Sequence, residues 1–120
     1  MDILLVDDSR TMRLILQRAI RQAGYRGLDV LEAENGLQAL EKLREGPPKL
    51  ILSDWNMPEM SGLDFLKQVR ADGNNVPFGF ITSEASAEMK ALAMSSGATF
   101  MLSKPFNSDD IQEALSPILD

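Results

Sequence analysis

The sequence predicts an α/β fold, a doubly wound sandwich around a five-stranded parallel sheet, and three observations predict it. Five short apolar runs alternate with five stretches of helical periodicity along 120 residues, the rhythm of a parallel sheet covered on both faces. The apolar runs are nearly continuous, as strands buried on both sides should be. The length fits one domain, 1–120, and falls far short of the about 250 residues of a closed eight-fold barrel, so an open sheet is expected.

Each element follows in turn. Asp2 to Val6 reads as the first strand and ends in Asp7-Asp8. Ser9-Arg10-Thr11 opens a helix whose apolar positions are Met12, Ile15, Leu16, Ala19, Ile20 and Ala23, with Gly24 placed to end it. Leu28 to Ala33 is the second strand. Glu34-Asn35-Gly36 is a turn into a short helix marked by Leu37, Ala39, Leu40 and Leu43, which Gly46-Pro47-Pro48 breaks. Leu50 to Asp54 is the third strand, followed at once by the turn residues Trp55-Asn56-Met57-Pro58. Ser61-Gly62 leads into a helix carrying Leu63, Phe65, Leu66 and Val69, ended by Gly73-Asn74-Asn75. Pro77 to Ile81 is the fourth strand, and the hydroxyls of Thr82-Ser83 are placed to cap the next helix, which carries Met89, Leu92 and Ala93 and stops at Gly97. Thr99 to Leu102 is the fifth strand. Ser103-Lys104-Pro105 is a loop, and Ile111, Ala114, Leu115 and Ile118 mark the last helix.

Composition narrows the chemistry. There is no cysteine and no histidine, which excludes disulfides, thiolate or imidazole metal ligation, a Ser-His triad and a phosphohistidine carrier role. The net charge of −6 opposes nucleic-acid binding, which relies on Lys and Arg to neutralise phosphates. The charge is uneven: Arg10, Arg13, Arg18, Arg21 and Arg26 make the first third locally basic, and Asp109, Asp110, Glu113 and Asp120 make the end acidic. Both read as solvated helix faces. No apolar run approaches the roughly 20 residues of a membrane span and no signal sequence opens the chain, so a cytoplasmic protein without a membrane or DNA partner is expected.

In a parallel sheet all strand ends point to one edge, where ligands and chemistry gather in open α/β folds. That edge should carry Asp7 and Asp8, Asp54, Thr82 and Lys104. Singly, each has an ordinary explanation: a solvated acid, a helix cap, a loop lysine. Together they form a set. Clustered carboxylates repel and need a cation to stay ionised, and oxygen-only ligands suit a hard ion such as Mg²⁺. A carboxylate beside Mg²⁺ can attack phosphorus to give an aspartyl phosphate, with the metal and a lysine neutralising the transferring group.

The residues Val6-Asp7-Asp8-Ser9, Glu32-Ala33-Glu34-Asn35-Gly36, Ser53 to Gly62, Thr82-Ser83, Gly97-Ala98 and Lys104-Pro105-Phe106 resemble the response-regulator receiver family, and most closely its single-domain CheY-like members. The resemblance covers almost the whole chain. It implies a flavodoxin-like (βα)₅ sandwich of strand order 2-1-3-4-5, an order carried over from a class in which CheY itself is a standing example. It implies that Asp54 accepts the phosphoryl group, that Asp8 binds Mg²⁺ directly and Asp7 mainly through water, and that the backbone carbonyl of Asn56 is a further ligand. Lys104 is implied to pair with the phosphoryl group across a cis bond to Pro105, and Thr82 to be the switch hydroxyl. Asn56 and Glu84 match the pair found in receivers that lose phosphate quickly, which implies self-hydrolysis in seconds to minutes.

The family's switch aromatic falls on Met101. Phe100 is adjacent, but strand alternation turns it to the opposite face, so an inward-rotating ring is missing and flexible Met101 is the candidate for its place. The expected partners are a sensor histidine kinase and a separate output protein, engaged by a monomer through the face of the fourth helix, fifth strand and fifth helix. Such a protein is a switch that catalyses only its own phosphorylation and dephosphorylation, and chemotaxis is one setting for it. A Mg²⁺-dependent phosphohydrolase also uses an aspartyl phosphate, but commonly places its second acid two residues after the nucleophile, whereas here Asp7 and Asp8 are adjacent and Asp54 lies on another strand.

Overall fold

The computed structural model describes residues 1–120. Its elements are β1 (Ile3–Val6), α1 (Arg10–Gln22), β2 (Val30–Ala33), α2 (Gly36–Leu43), β3 (Leu50–Asp54), α3 (Gly62–Ala71), β4 (Phe78–Thr82), α4 (Ala87–Ser95), β5 (Phe100–Ser103) and α5 (Ser108–Leu119). All strands are parallel in the order β2-β1-β3-β4-β5, as the resemblance implied. Alternation splits the apolar strand residues between two layers. Ile3, Leu5, Leu50, Leu52 and Ile81 pack with Leu16, Ala19 and Ile20 of α1 and with Ile111 and Leu115 of α5. Leu4, Val6, Ile51, Phe78 and Phe80 pack with Ala39 of α2, Phe65, Leu66 and Val69 of α3, and Ala93 of α4. Full burial of a Leu, Ile or Phe side chain is worth about 1.5–3 kcal/mol, so a one-residue slip of any central strand would exchange both layers and is strongly disfavoured.

Every helix starts on a Ser or Asn cap: Ser9, Asn35, Ser61, Ser86 and Asn107 each accept a backbone N–H from the first turn. In a doubly wound sheet these starts lie at the carboxyl edge of the strands, so the positive ends of the helix dipoles gather there. Some expectations shift. The cap of α4 is Ser86, not Thr82 or Ser83, because Thr82 is drawn into β4 as its last residue. The second strand begins at Val30 instead of Leu28, the bounds of the first, fourth and fifth strands move by one residue, and the third is as expected. The periodicity puts Ile15, Leu37 and Leu92 on apolar faces, yet they are 47%, 48% and 44% exposed. On α1 the buried stripe keeps Leu16, Ala19 and Ile20 of the expected face and adds Arg13, with Met12 and Ala23 partly buried beside it.

Candidate functional site

The register delivers the polar residues to one edge. Val6 pairs with Ser53, Asp54 with Ile81 and Thr82 with Ser103, so Asp7, Asp54 and Lys104 come together at this edge, where β4 also ends in Thr82. Asp7 is buried, and its Oδ1 accepts the Ser9 N–H at 2.9 Å. Asp54 is half-buried, and its Oδ1 accepts the Trp55 N–H at 2.7 Å. Lys104 Nζ lies 3.8 Å from Asp7 Oδ2 and 3.8 Å from Asp54 Oδ2. Asp8 is exposed, and the carboxylates of Asp7, Asp8 and Asp54 each offer an oxygen within 4.8 Å of the others. The Lys104–Pro105 peptide is cis, and Lys104 N–H donates to the Thr82 carbonyl at 2.8 Å.

Electrostatics at this edge are unbalanced. Burial pushes the Asp7 carboxyl above its ordinary value; the Ser9 N–H and Lys104 oppose the rise, and the charges of Asp54 and Asp8 add to it. Three carboxylates face one ammonium. The donor set is all oxygen and the group is open on the Asp8 side, which fits a hard divalent cation that keeps part of its water shell. The cluster could therefore hold a metal ion. The loop after Asp54 is closed by the Gly62 N–H on the Trp55 carbonyl at 2.8 Å. Gly62 is required there: a Cβ would stand 2.1 Å from the Asp54 carbonyl oxygen. Asn56 is exposed at the start of this loop, and its carbonyl accepts no backbone hydrogen bond. Farther on, the Met60 N–H closes on the Pro58 carbonyl at 2.7 Å across Glu59 at φ 69, a γ-turn that costs a non-glycine residue strain.

Two expected members stand apart. The Thr82 hydroxyl is buried and accepts the Glu84 N–H at 3.3 Å. By alternation Thr82 shares the side of Phe78 and Phe80, whereas Asp54 shares that of Leu50 and Leu52, and no hydrogen bond joins Thr82 to the acids. Glu84 itself is exposed. Met101 pairs in register with Phe80 and packs on the α2–α3–α4 side, and Phe100 on the other, as alternation required. Sequence reading missed Arg13 and Glu32. Arg13 is 7% exposed; its Nε donates to Glu32 Oε1 at 2.9 Å and its Nη1 to the Asp7 carbonyl at 2.5 Å. The signal was present, since Arg13, Leu16 and Ile20 fall on one stripe at spacings of three and four; its charge argued for the surface.

Residues 3–116 match the family model described as the response regulator receiver domain. The chain is 42% identical to chemotaxis protein CheY1 of Helicobacter pylori over 99% of its own length and 97% of that protein. It is 38% identical to chemotaxis protein CheY-3 of Vibrio cholerae, covering 100% of this chain and 92% of that one. Among solved structures, chemotaxis protein CheY4 of Vibrio cholerae, crystallised at low pH, superposes with a TM-score of 0.86 at 36% identity over 98% of each chain.

Proposed function

The chain belongs to the response-regulator receiver family, the phosphoryl-accepting switches of two-component signalling, and from that premise we propose that Asp54 is its acceptor and Lys104 and Thr82 its reporters. The observation that carries this reading is the placement of Lys104 Nζ at 3.8 Å from both Asp7 and Asp54, at the edge where Asp8 completes an acidic cluster. Trp55 N–H occupies Asp54 Oδ1, which leaves Oδ2, on the Lys104 side, as the nucleophilic oxygen. Oδ2 forms the new bond to phosphorus as the bond from phosphorus to the donor's imidazole nitrogen breaks, and the imidazole leaves with the electron pair and takes up a proton. Lys104 offsets charge on the phosphoryl oxygens. A bound Mg²⁺ would supply further neutralisation of those oxygens, and Asp8, Asp54 and the Asn56 carbonyl would hold it, with Asp7 acting mainly through water.

Release of the Thr82 hydroxyl from Glu84 N–H toward the new phosphoryl group, with movement of Met101 beside Phe80, would then alter the outer face of α4, β5 and α5. Leu92 and Met94 of α4 are each 44% exposed. Contacts made only in the phosphorylated state shift the population of that face. The donor is a histidine kinase and the target a separate protein; the named relatives make chemotaxis the favoured setting. Asn56 and Glu84, both exposed at the loops flanking Asp54, favour a short-lived phosphate. The 120 residues act as one receiver domain, and no helix is long and apolar enough to cross a membrane.

The test is direct. Incubation with Mg²⁺ and a small acyl phosphate, or with a beryllofluoride mimic, should modify Asp54, located by mass spectrometry of borohydride-trapped peptides for the phosphate. Asp54→Asn should abolish labelling. Labelling of that variant at the parent level would sink the assignment.

A further inference from the structure

The least expected residue near the acidic edge is Arg13. Its place on the buried stripe of α1, beside Leu16, Ala19 and Ile20, would ordinarily be filled by an apolar side chain. A guanidinium there must shed water, which costs several kcal/mol unless its donors are satisfied, and replacing buried ion pairs by hydrophobic groups is often neutral or stabilising. The helix start adds to the cost: α1 has no acidic residue in its own first turn, so acids outside the helix must offset the charge against its dipole. The donors are instead spent in two directions. Nε reaches across to Glu32 on β2, 2.9 Å away, and Nη1 reaches the backbone carbonyl of Asp7.

That carbonyl sits where β1 leaves the sheet. The Asp7 N–H still donates to Ala33 O at 3.1 Å, the last ladder bond to β2, and beyond Ala33 the neighbouring chain turns away at Glu34-Asn35. Arg13 supplies the donor that β2 no longer can. With N–H, C=O and Oδ1 all held, Asp7 has little freedom, and the peptide that leads into exposed, otherwise unbonded Asp8 is fixed on its carbonyl side. We propose that Arg13 is a positioning residue: bridging Glu32 and the Asp7 carbonyl, it fixes the peptide from which the Asp7 and Asp8 carboxylates project, and thereby sets the affinity of the site for a divalent cation. The inference rests on the metal site proposed above. Residues that orient metal ligands from behind commonly carry about 10–100-fold in affinity.

Sign separates positioning from charge. Arg13 is a cation beside a cation site, so by electrostatics alone its removal should tighten Mg²⁺ binding; if it positions the ligands, its removal should weaken it. The experiment is a Mg²⁺ titration at fixed ionic strength, read by Trp55 fluorescence, on the parent, Arg13→Met and Arg13→Lys, with urea midpoints measured beside it. The expected result is a dissociation constant raised about ten-fold in Arg13→Met. Arg13→Lys keeps charge and stem but cannot fork between two acceptors; it should also bind more weakly, and it serves if the Met variant does not fold. A folded variant of either kind that binds Mg²⁺ as well as the parent, or better, overturns the proposal. A shifted urea midpoint with unchanged Mg²⁺ affinity assigns Arg13 a purely structural role and overturns it equally. A parent chain with no Mg²⁺ response overturns the metal site itself, and the inference with it.

Discussion

Replacing Asp7 by asparagine should make the metal-free chain more stable at neutral pH while removing most of its response to Mg²⁺. Asp7 is 2% exposed, and burial, more than any other influence, raises its pKa above 3.8. A unit-charge pair at 4 Å is worth about 1 kcal/mol in water and about 4 kcal/mol at an effective dielectric constant of about 20. Asp7 faces two carboxylates inside 4.8 Å and one ammonium at 3.8 Å. The attraction offsets one repulsion and leaves the other, with desolvation on the same side. Asparagine keeps an oxygen for the Ser9 N–H, so the expected gain after relaxation is about 1–2 kcal/mol. The pH dependence has a definite sign. An acid whose pKa rises on folding contributes stability that is complete below its unfolded value and is lost as pH climbs through the folded one. The two proteins should therefore converge in acid, below the ordinary aspartate range, and the variant should lead once pH exceeds the raised value. Saturating Mg²⁺ reverses the order, because a ligand at 100 times its Kd adds about 2.7 kcal/mol to the parent. Urea unfolding followed by circular dichroism, across pH and with or without Mg²⁺, reads all of this. A variant no more stable than the parent at pH 7 without metal, or one that gains as much from Mg²⁺, refutes the reasoning.

Gly79 and Phe100 face one another in register, and a Cβ on Gly79 would stand 2.2 Å from Phe100 Cζ. Gly79→Ala should cost about 1–3 kcal/mol alone and close to nothing when combined with Phe100→Ala, a coupling that a double-mutant cycle in urea detects; equal cost in both backgrounds would show that the ring is free to move. Exchanging Asn56 and Glu84 together for the residue types of slow receivers should lengthen the phosphate lifetime from seconds or minutes toward hours, measured by loss of label from Asp54. An unchanged lifetime would make both mere polar loop residues.

Periodicity carried the fold because strand burial here is nearly complete: Ile3 to Val6 and Leu50 to Ser53 are buried on both sides, and such runs cannot be surface. It faltered where an element is half-wet. The α4 helix buries only Ala93, so Leu92 gave a false inner face; the edge strand β2 is only partly buried, and its start was placed too early. The acids and Lys104 were legible because they end strands, and the topology alone brings strand ends together. Arg13 and Glu32 were not, because their meeting depends on α1 lying across β1 toward β2, a packing angle that one-dimensional spacing does not encode. Residue type also misled: a guanidinium was sent to solvent by its charge although its position lay on the apolar stripe.

On the proposed reading of Asp54 as acceptor and Met101 as the position of the family's switch aromatic, a packed route runs from Asp54 toward α4. Trp55 donates its backbone N–H to Asp54 and packs at a tilt of 52° on Phe80, with ring centroids 4.9 Å apart. Phe80 pairs in register with Met101, and Met101 rests against the layer that includes Ala93. The two ends of that route are held unequally. The third helix buries Gly62, Phe65, Leu66 and Val69, whereas α4 is held by Ala93 and, just past its end, by Arg70 reaching the Gly97 carbonyl at 2.8 Å. Elements with few buried contacts open and shift at the least cost. On the proposed reading a rearrangement at Asp54 would be taken up by α4 before α3, with the flexible thioether at 101 as its relay.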